Sequence, residues 1–218
     1  MTALWIGLIA LVAAIVAWAA WLFSGRNRDV VSEVRILNPE GDEGTALVVY
    51  HPGKSDFQGK VFAGFAEGLV ANGWRVEMTT PSSQAPTDLM GYDLLILGGP
   101  TYGFAPNRPI QRYLSRLGDL GGKPTVTIIT ALGMGERSTE MMQRLVQEAN
   151  GNLIKALILY KARPNDDDNY VDGRQNQDLA VEMAIQAAIE IATWAEGKGA
   201  TQDSTESALP GEQERTTD

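Results

Sequence analysis

Between residues 45 and 195, short apolar runs alternate with segments whose apolar residues recur at helical spacing. No other feature constrains the fold as tightly. Residues 46–50, 74–80, 92–97, 124–130 and 153–160 read as strands, and runs such as Ala46-Leu-Val-Val-Tyr50 suit strands buried on both faces. Residues 57–72 put Phe57, Val61, Phe62, Phe65, Ala66, Leu69 and Val70 on one stripe, with Ser55 as the expected N-cap and Gly73 as the stop. Residues 108–120, 138–150 and 177–194 are the other expected helices. Strand–helix alternation of this kind builds βαβ units. The expected architecture is therefore α/β, a three-layer doubly wound sheet of five parallel strands.

Ahead of this domain stands a segment of opposite character. Residues 2–23 contain no charged side chain, and at about 1.5 Å rise per residue they are long enough for a hydrocarbon core of roughly 30 Å. Trp5 lies near one end, Trp18 and Trp21 near the other, where amphipathic rings favour the interface. A cleaved signal peptide needs a basic start and a shorter apolar stretch, and neither is present. One transmembrane helix is expected here, contacting lipid. Arg26 and Arg28 follow it directly, so the positive-inside rule places the long remainder in the cytoplasm, as a single-pass protein of the cell membrane.

Residues 24–44 read as a linker carrying one apolar patch of Val30, Val31, Val34, Ile36 and Leu37. Residues 196–218 lack aromatic side chains and read as a disordered tail. The chain carries a net charge of −9. Six acids against Lys198 and Arg215 place −4 of it in that tail, leaving −5 for the rest. An acidic balance argues against nucleic acid as a partner. Absent cysteines exclude disulfides, thiolate metal sites and cysteine nucleophiles, and one histidine excludes a multi-histidine metal centre.

In a doubly wound sheet, ligands lie beyond the carboxyl ends of the strands. Three loops are expected at that edge. The first, residues 51–56 (HPGKSD), combines Gly53, Lys54 and Ser55 at a helix N-terminus and suits a phosphate. It is not a Walker A loop, since Val48 stands where that motif requires glycine. The second, residues 98–107 (GGPTYGFAPN), offers the flat ring of Tyr102 and the hydroxyl of Thr101. The third, residues 131–138 (ALGMGERS), has Gly133 and Gly135 for close backbone approach. His51 is a polar turn residue or a proton donor beside the ligand. Glu136 and Arg137 meet a substrate or one another.

The strand–loop–helix at 46–72, the YDLLILGGPTYG segment at 92–103 and the PTVTIITALG segment at 124–133 resemble flavodoxin-like FMN proteins, including relatives of the NAD(P)H:quinone-reductase type. The resemblance covers residues 45–195 and implies strand order 2-1-3-4-5 with FMN at the carboxyl edge. It assigns the phosphate to Gly53, Lys54 and Ser55 with His51 beside them, one side of the flavin ring to Pro100, Thr101, Tyr102 and Gly103, and the other to Ala131, Leu132, Gly133 and Gly135. The first loop departs from the family's hydroxyl-rich pattern, because Ser55 is its sole hydroxyl and Asp56 brings a negative charge.

The acidic stretch at 165–173 invites a calcium reading, but an EF-hand begun at Asp168 puts Tyr170 and Leu179 at ligand positions. It is read instead as a solvated loop, with Asp172 helping to cap the last helix, and no metal site is expected. Two functions follow. One is a membrane-anchored FMN redox protein, passing electrons to a partner protein or reducing a quinone with NAD(P)H. The other is a flavin-free binding or assembly module of the same fold at the membrane.

Overall fold

The structure is a computed structural model in which residues 2–23, 29–166 and 176–206 are described. Helix α1 spans Thr2–Phe23 and strand β1 Arg35–Leu37. The domain then runs β2 (Thr45–Tyr50), α2 (Phe57–Val70), β3 (Arg75–Thr79), β4 (Leu94–Tyr102) and β5 (Ala105–Pro106). It continues through α3 (Arg108–Leu117), β6 (Pro124–Ala131), α4 (Glu136–Glu148), β7 (Asn152–Tyr160) and α5 (Asn176–Glu206).

Five strands pair in parallel in the spatial order β3-β2-β4-β6-β7. Strand alternation sorts their side chains into two apolar layers. Ala46 and Val48 of β2 face one way and pack with Phe62, Phe65 and Leu69 of α2 and Ala184 and Ala188 of α5. Leu47 and Val49 face the other way, toward Ile110 and Tyr113 of α3 and Met142 and Val146 of α4. Helices on both faces explain why these strands are apolar throughout. α2 and α5 approach closely because glycines line the contact. A Cβ on Gly68 would lie 2.7 Å from the Ala188 Cβ, and one on Gly64 2.8 Å from Val181.

Two features correct the expected five-stranded sheet, which has seven strands in the order β1-β3-β2-β4-β6-β7 with β5 attached to β4. β1 lies within the segment read as a linker and pairs antiparallel with β3, Ile36 opposite Glu77. A three-residue strand is too short to show a period, yet it covers an edge that would otherwise expose unpaired backbone. β5 forms a hairpin with β4, Tyr102 opposite Ala105. Gly103 and Phe104 form its two-residue turn with φ of 58° and 62°, the pattern of a type I′ turn.

Three further differences are local. Asp56, not Ser55, is the N-cap of α2, and the Ser55 hydroxyl donates to Gln58 Oε1 at 3.0 Å instead. α5 continues to Glu206, past the residue at which the tail was expected to begin, because Ala195, Glu196, Lys198 and Ala200 favour helix. Residues 207–218 lie outside the described residues. So do 167–175, which contain Asp172 and most of the acidic stretch. At its base, Asn165 donates to Tyr160 O at 2.8 Å, and Asn176 donates to the same oxygen at 2.9 Å.

α1 is helical over 22 residues, and Trp5, Ile6, Ile9, Val16 and Trp18 are all more than half exposed. Among the described residues, no helix is long and apolar enough to cross a membrane. The transmembrane helix expected from the sequence is thus not an observed feature of the structure.

The chain between α1 and β1 is fastened to the end of β3. Ser32 N–H donates to Thr80 Oγ1 at 3.0 Å, Thr80 N–H to Ser32 Oγ at 3.1 Å, and the Thr80 hydroxyl to Val30 O at 2.6 Å. Thr80 is buried, so its loss leaves several of these groups unpaired. Replacing Thr80 with the isosteric valine should cost about 1–3 kcal/mol, read as a lower urea midpoint. An unchanged midpoint would show that the segment contributes no stability.

Candidate functional site

The parallel strands end on one edge, where four loops converge rather than three. Loops after β2, β4, β6 and β7 surround two adjoining cavities that share Thr101, Tyr102 and Leu132. The inner one, about 270 Å³, is lined by Lys54 and Ser55, by Pro100, Thr130 and Ala131, and by Lys161. The outer one, about 750 Å³, is bounded by Gly103 and Phe104, by Gly133 and Met134, and by Ala162 and Arg163. Its lining is chiefly apolar.

Nine of the twelve expected site residues line these cavities: Lys54, Ser55, Pro100, Thr101, Tyr102, Gly103, Ala131, Leu132 and Gly133. The other three, His51, Gly53 and Gly135, are not among the lining residues. His51 is fully buried beneath the loop. Its N–H donates to Gly98 O at 3.1 Å, and its Nδ1 accepts the Gly53 N–H at 3.0 Å. The imidazole is therefore a brace for the turn. Gly53 has φ 69°, and a Cβ there would press on Gln58 at 3.1 Å and Pro100 at 3.2 Å, so the turn demands glycine. Gly135 serves packing at the start of α4, where a Cβ would lie 2.9 Å from both Ala131 and Ile158.

Several observations bear on what the inner cavity can hold. The hydroxyl oxygens of Thr101 and Thr130 are buried without a hydrogen-bond partner, a costly state that a polar ligand relieves. Phe57 and Gln58, the first residues of α2, line the same space and bring a helix N-terminus to it. Lys54 and Lys161, from the loops after β2 and β7, supply positive charge. The carboxylate of Asp56 pairs with Lys60 at 3.2 Å. Its hydrogen bond to Lys60 is the main cause of an acidity stronger than usual for aspartate. The charge that made this loop atypical is thus engaged with Lys60. These residues fit a phosphorylated polar chain leading outward, and the outer cavity fits a flat ring against Tyr102.

Lys161 and Arg163 were not expected from the sequence. They follow β7, whose carboxyl end necessarily reaches the same edge as the other three strands. Arg163 donates to Glu136 Oε1 at 2.7 Å, and its guanidinium carbon lies 4.9 Å from the Tyr160 ring centroid. Glu136 therefore meets Arg163, and it also accepts the Tyr160 hydroxyl at 2.8 Å and the Gly135 N–H at 2.9 Å. Backbone hydrogen bonding, first of all to its own N–H, and the Tyr160 hydroxyl lower the Glu136 carboxyl to about 2. Burial, then the bond to Glu136, raises Tyr160 to about 12.

No protein-family profile matches the chain, and no curated protein matches it. Solved structures do. A flavodoxin from the domain Archaea matches with a TM-score of 0.55 at 14% identity, over 70% of this chain and 99% of that one. Oxidised Flavodoxin 2 from Bacillus cereus matches with 0.52 at 18% identity, over 67% and 97%. An azoreductase from Bacillus anthracis str. Sterne matches with 0.52 at 10% identity, over 67% and 99%. The fold is flavodoxin-like. Likeness at these identities establishes fold and leaves function to the site.

A raised tyrosine favours the folded state below about pH 10, and that contribution is lost as pH rises toward 12. Difference titration at 295 nm of the native chain against Tyr160→Phe should show this hydroxyl ionising near pH 12. Glu136→Gln removes the accepting carboxylate and should move the midpoint downward. A midpoint near 10 in the native chain would mean that the Tyr160–Glu136 bond does not form in solution.

Proposed function

We propose that this chain is a membrane-anchored flavodoxin-like redox protein that holds FMN at the carboxyl edge of its sheet. The observation that carries the reading is the pairing of the two cavities. One is small, with two lysines and partnerless buried hydroxyls set among apolar walls, and it opens into a larger, more apolar one beside an aromatic ring. FMN has the same division, with a dianionic phosphate, a hydroxylated chain and a flat tricyclic ring.

In this assignment, Lys54, Lys161 and the first turn of α2 hold the phosphate. Thr101 and Thr130 bond the polar chain or the ring edge. Tyr102 on one side, with Leu132 and Gly133 on the other, enclose the ring. Bound FMN supplies the redox chemistry, which no side chain of a cysteine-free protein otherwise provides. The protein's own part is to position the ring, exclude water from one side of it and set the surrounding charge. The acceptor or donor is a redox partner protein, or a quinone reduced at the expense of NAD(P)H.

The anchor rests on the uncharged run of residues 2–23, and a cytoplasmic domain on Arg26 and Arg28. An anchor raises the local concentration of membrane partners without any new contact. The flavin-free alternative draws support from the engagement of Ser55, the sole hydroxyl of the first loop, with Gln58.

The visible spectrum decides between them. A yellow protein releasing FMN on acid treatment supports the first, and a colourless chain that ignores added FMN removes it. Gly53→Asp should abolish retention, since it adds a side chain where 3.1–3.2 Å is available and a negative charge beside the phosphate. Lys161→Ala should weaken FMN binding about tenfold, the size of one charge-assisted hydrogen bond, with a reduced dependence on salt. Equal affinity in both variants would place the phosphate elsewhere.

A further inference from the structure

We propose that the carboxyl edge of the sheet lies on the membrane surface, with Phe104, Leu132 and Met134 entering the lipid interface around the mouth of the outer cavity. The inference rests on the anchor of the proposed function and adds an orientation to it.

Tether geometry comes first. β1 runs antiparallel to β3, so following the chain back from Arg35 toward α1 leads to the carboxyl end of β3. There Ser32 and Thr80 exchange hydrogen bonds, and Asp29 pairs with Arg112 of α3. The chain coming from α1 therefore joins the domain at the edge that carries both cavities. Only residues 24–28 separate Phe23 from Asp29, and fully extended they reach about 20 Å. Two strand spacings separate β3 from β4 and three separate it from β6, about 10 and 15 Å along the edge. The register sets Val76 and Leu94 both beside Ala46, which puts Thr80 level with Gly98. Tyr102 projects four residues further, about 13 Å beyond that level. A helix seated in a bilayer thus brings the tip of the β4–β5 hairpin to the interface, and the tether is too short to let the opposite edge replace it without a large rotation.

The chemistry of the rim agrees with this placement. Phe104 is 52% exposed, Met134 64% and Leu132 70%, and all three border the outer cavity. Phe104 is presented to solvent at the hairpin tip in a left-handed conformation (φ 62°) that disfavours an L side chain. A cluster of large apolar residues around an opening is characteristic of an interaction surface. With the mouth so placed, an apolar reactant dissolved in lipid reaches the open side of a ring held in the outer cavity without crossing water.

The absence of cysteine makes the test direct. Phe104→Cys, Leu132→Cys and Met134→Cys each provide the sole thiol for an NBD fluorophore, and Met90→Cys, 90% exposed at the opposite edge before β4, is the control. The full chain is reconstituted in phosphatidylcholine–phosphatidylserine vesicles containing doxyl-labelled lipid, with flotation confirming association. Probes at 104, 132 and 134 should shift to the blue and be quenched about threefold more than the probe at 90, as expected for side chains settled about 5–10 Å into the interface. A chain that floats with all four probes quenched alike overturns the orientation and leaves the anchor standing. A chain that does not float overturns the anchor, and the orientation with it.

Discussion

Gly98 sits where the sheet and the site meet, and most of the carboxyl edge depends on its lacking a side chain. A Cβ there would stand 1.9 Å from the Ile128 carbonyl oxygen and 3.0 Å from the Phe62 ring. β4 therefore approaches β6 and α2 at a distance no other residue permits. Gly98 also pairs with Tyr50 of β2, and its carbonyl accepts the His51 N–H. One position thereby sets how closely β2, β4 and β6 pack around it. His51 then braces Gly53, so the first loop's turn is set from the floor of the sheet upward. The aperture between Lys54 and Pro100 follows from this stack of contacts.

The strands and helices from Thr45 onward were legible because each buries an apolar face long enough to show its period. β2 alternates between two helical layers over six residues, and α2 places six of its seven predicted stripe residues in the core. The elements that escaped notice are those too short to have a period. β1 has three residues and β5 two, and both exist because a neighbouring strand offers unpaired backbone. For β5 there was a usable sign in Gly103. A two-residue hairpin turn needs positive φ at both central positions, and glycine supplies it at the first.

The site was legible in part for a similar reason. Residues that line the cavities by side chain, such as Tyr102, Thr101 and Lys54, could be placed once the strand ends were known. His51, Gly53 and Gly135 lie next to the cavities in sequence but serve the backbone beneath them. Sequence order cannot separate these roles, because both kinds of residue sit in the same loop. Lys161 and Arg163 were missed because their loop has no glycine-rich signature. Their position follows from topology alone, since β7 is parallel to β6 and ends beside it at Tyr160.

Charge gains a sharper meaning from these placements. The chain is acidic overall, yet the cations named at the cavities converge from different loops, and the acids nearest them are occupied. Asp56 is held by Lys60 at the surface. Glu136 is ringed by donors from Gly135, Tyr160 and Arg163, which keep it ionised while tying it to the rim. Lys54 and Lys161 both line the inner cavity, and its lining includes no acidic residue. An anionic ligand there meets a locally positive field in an otherwise negative molecule. With −4 of the charge in residues 196–218 and −5 in the rest, the lysines at this edge make it the favourable side for an anion.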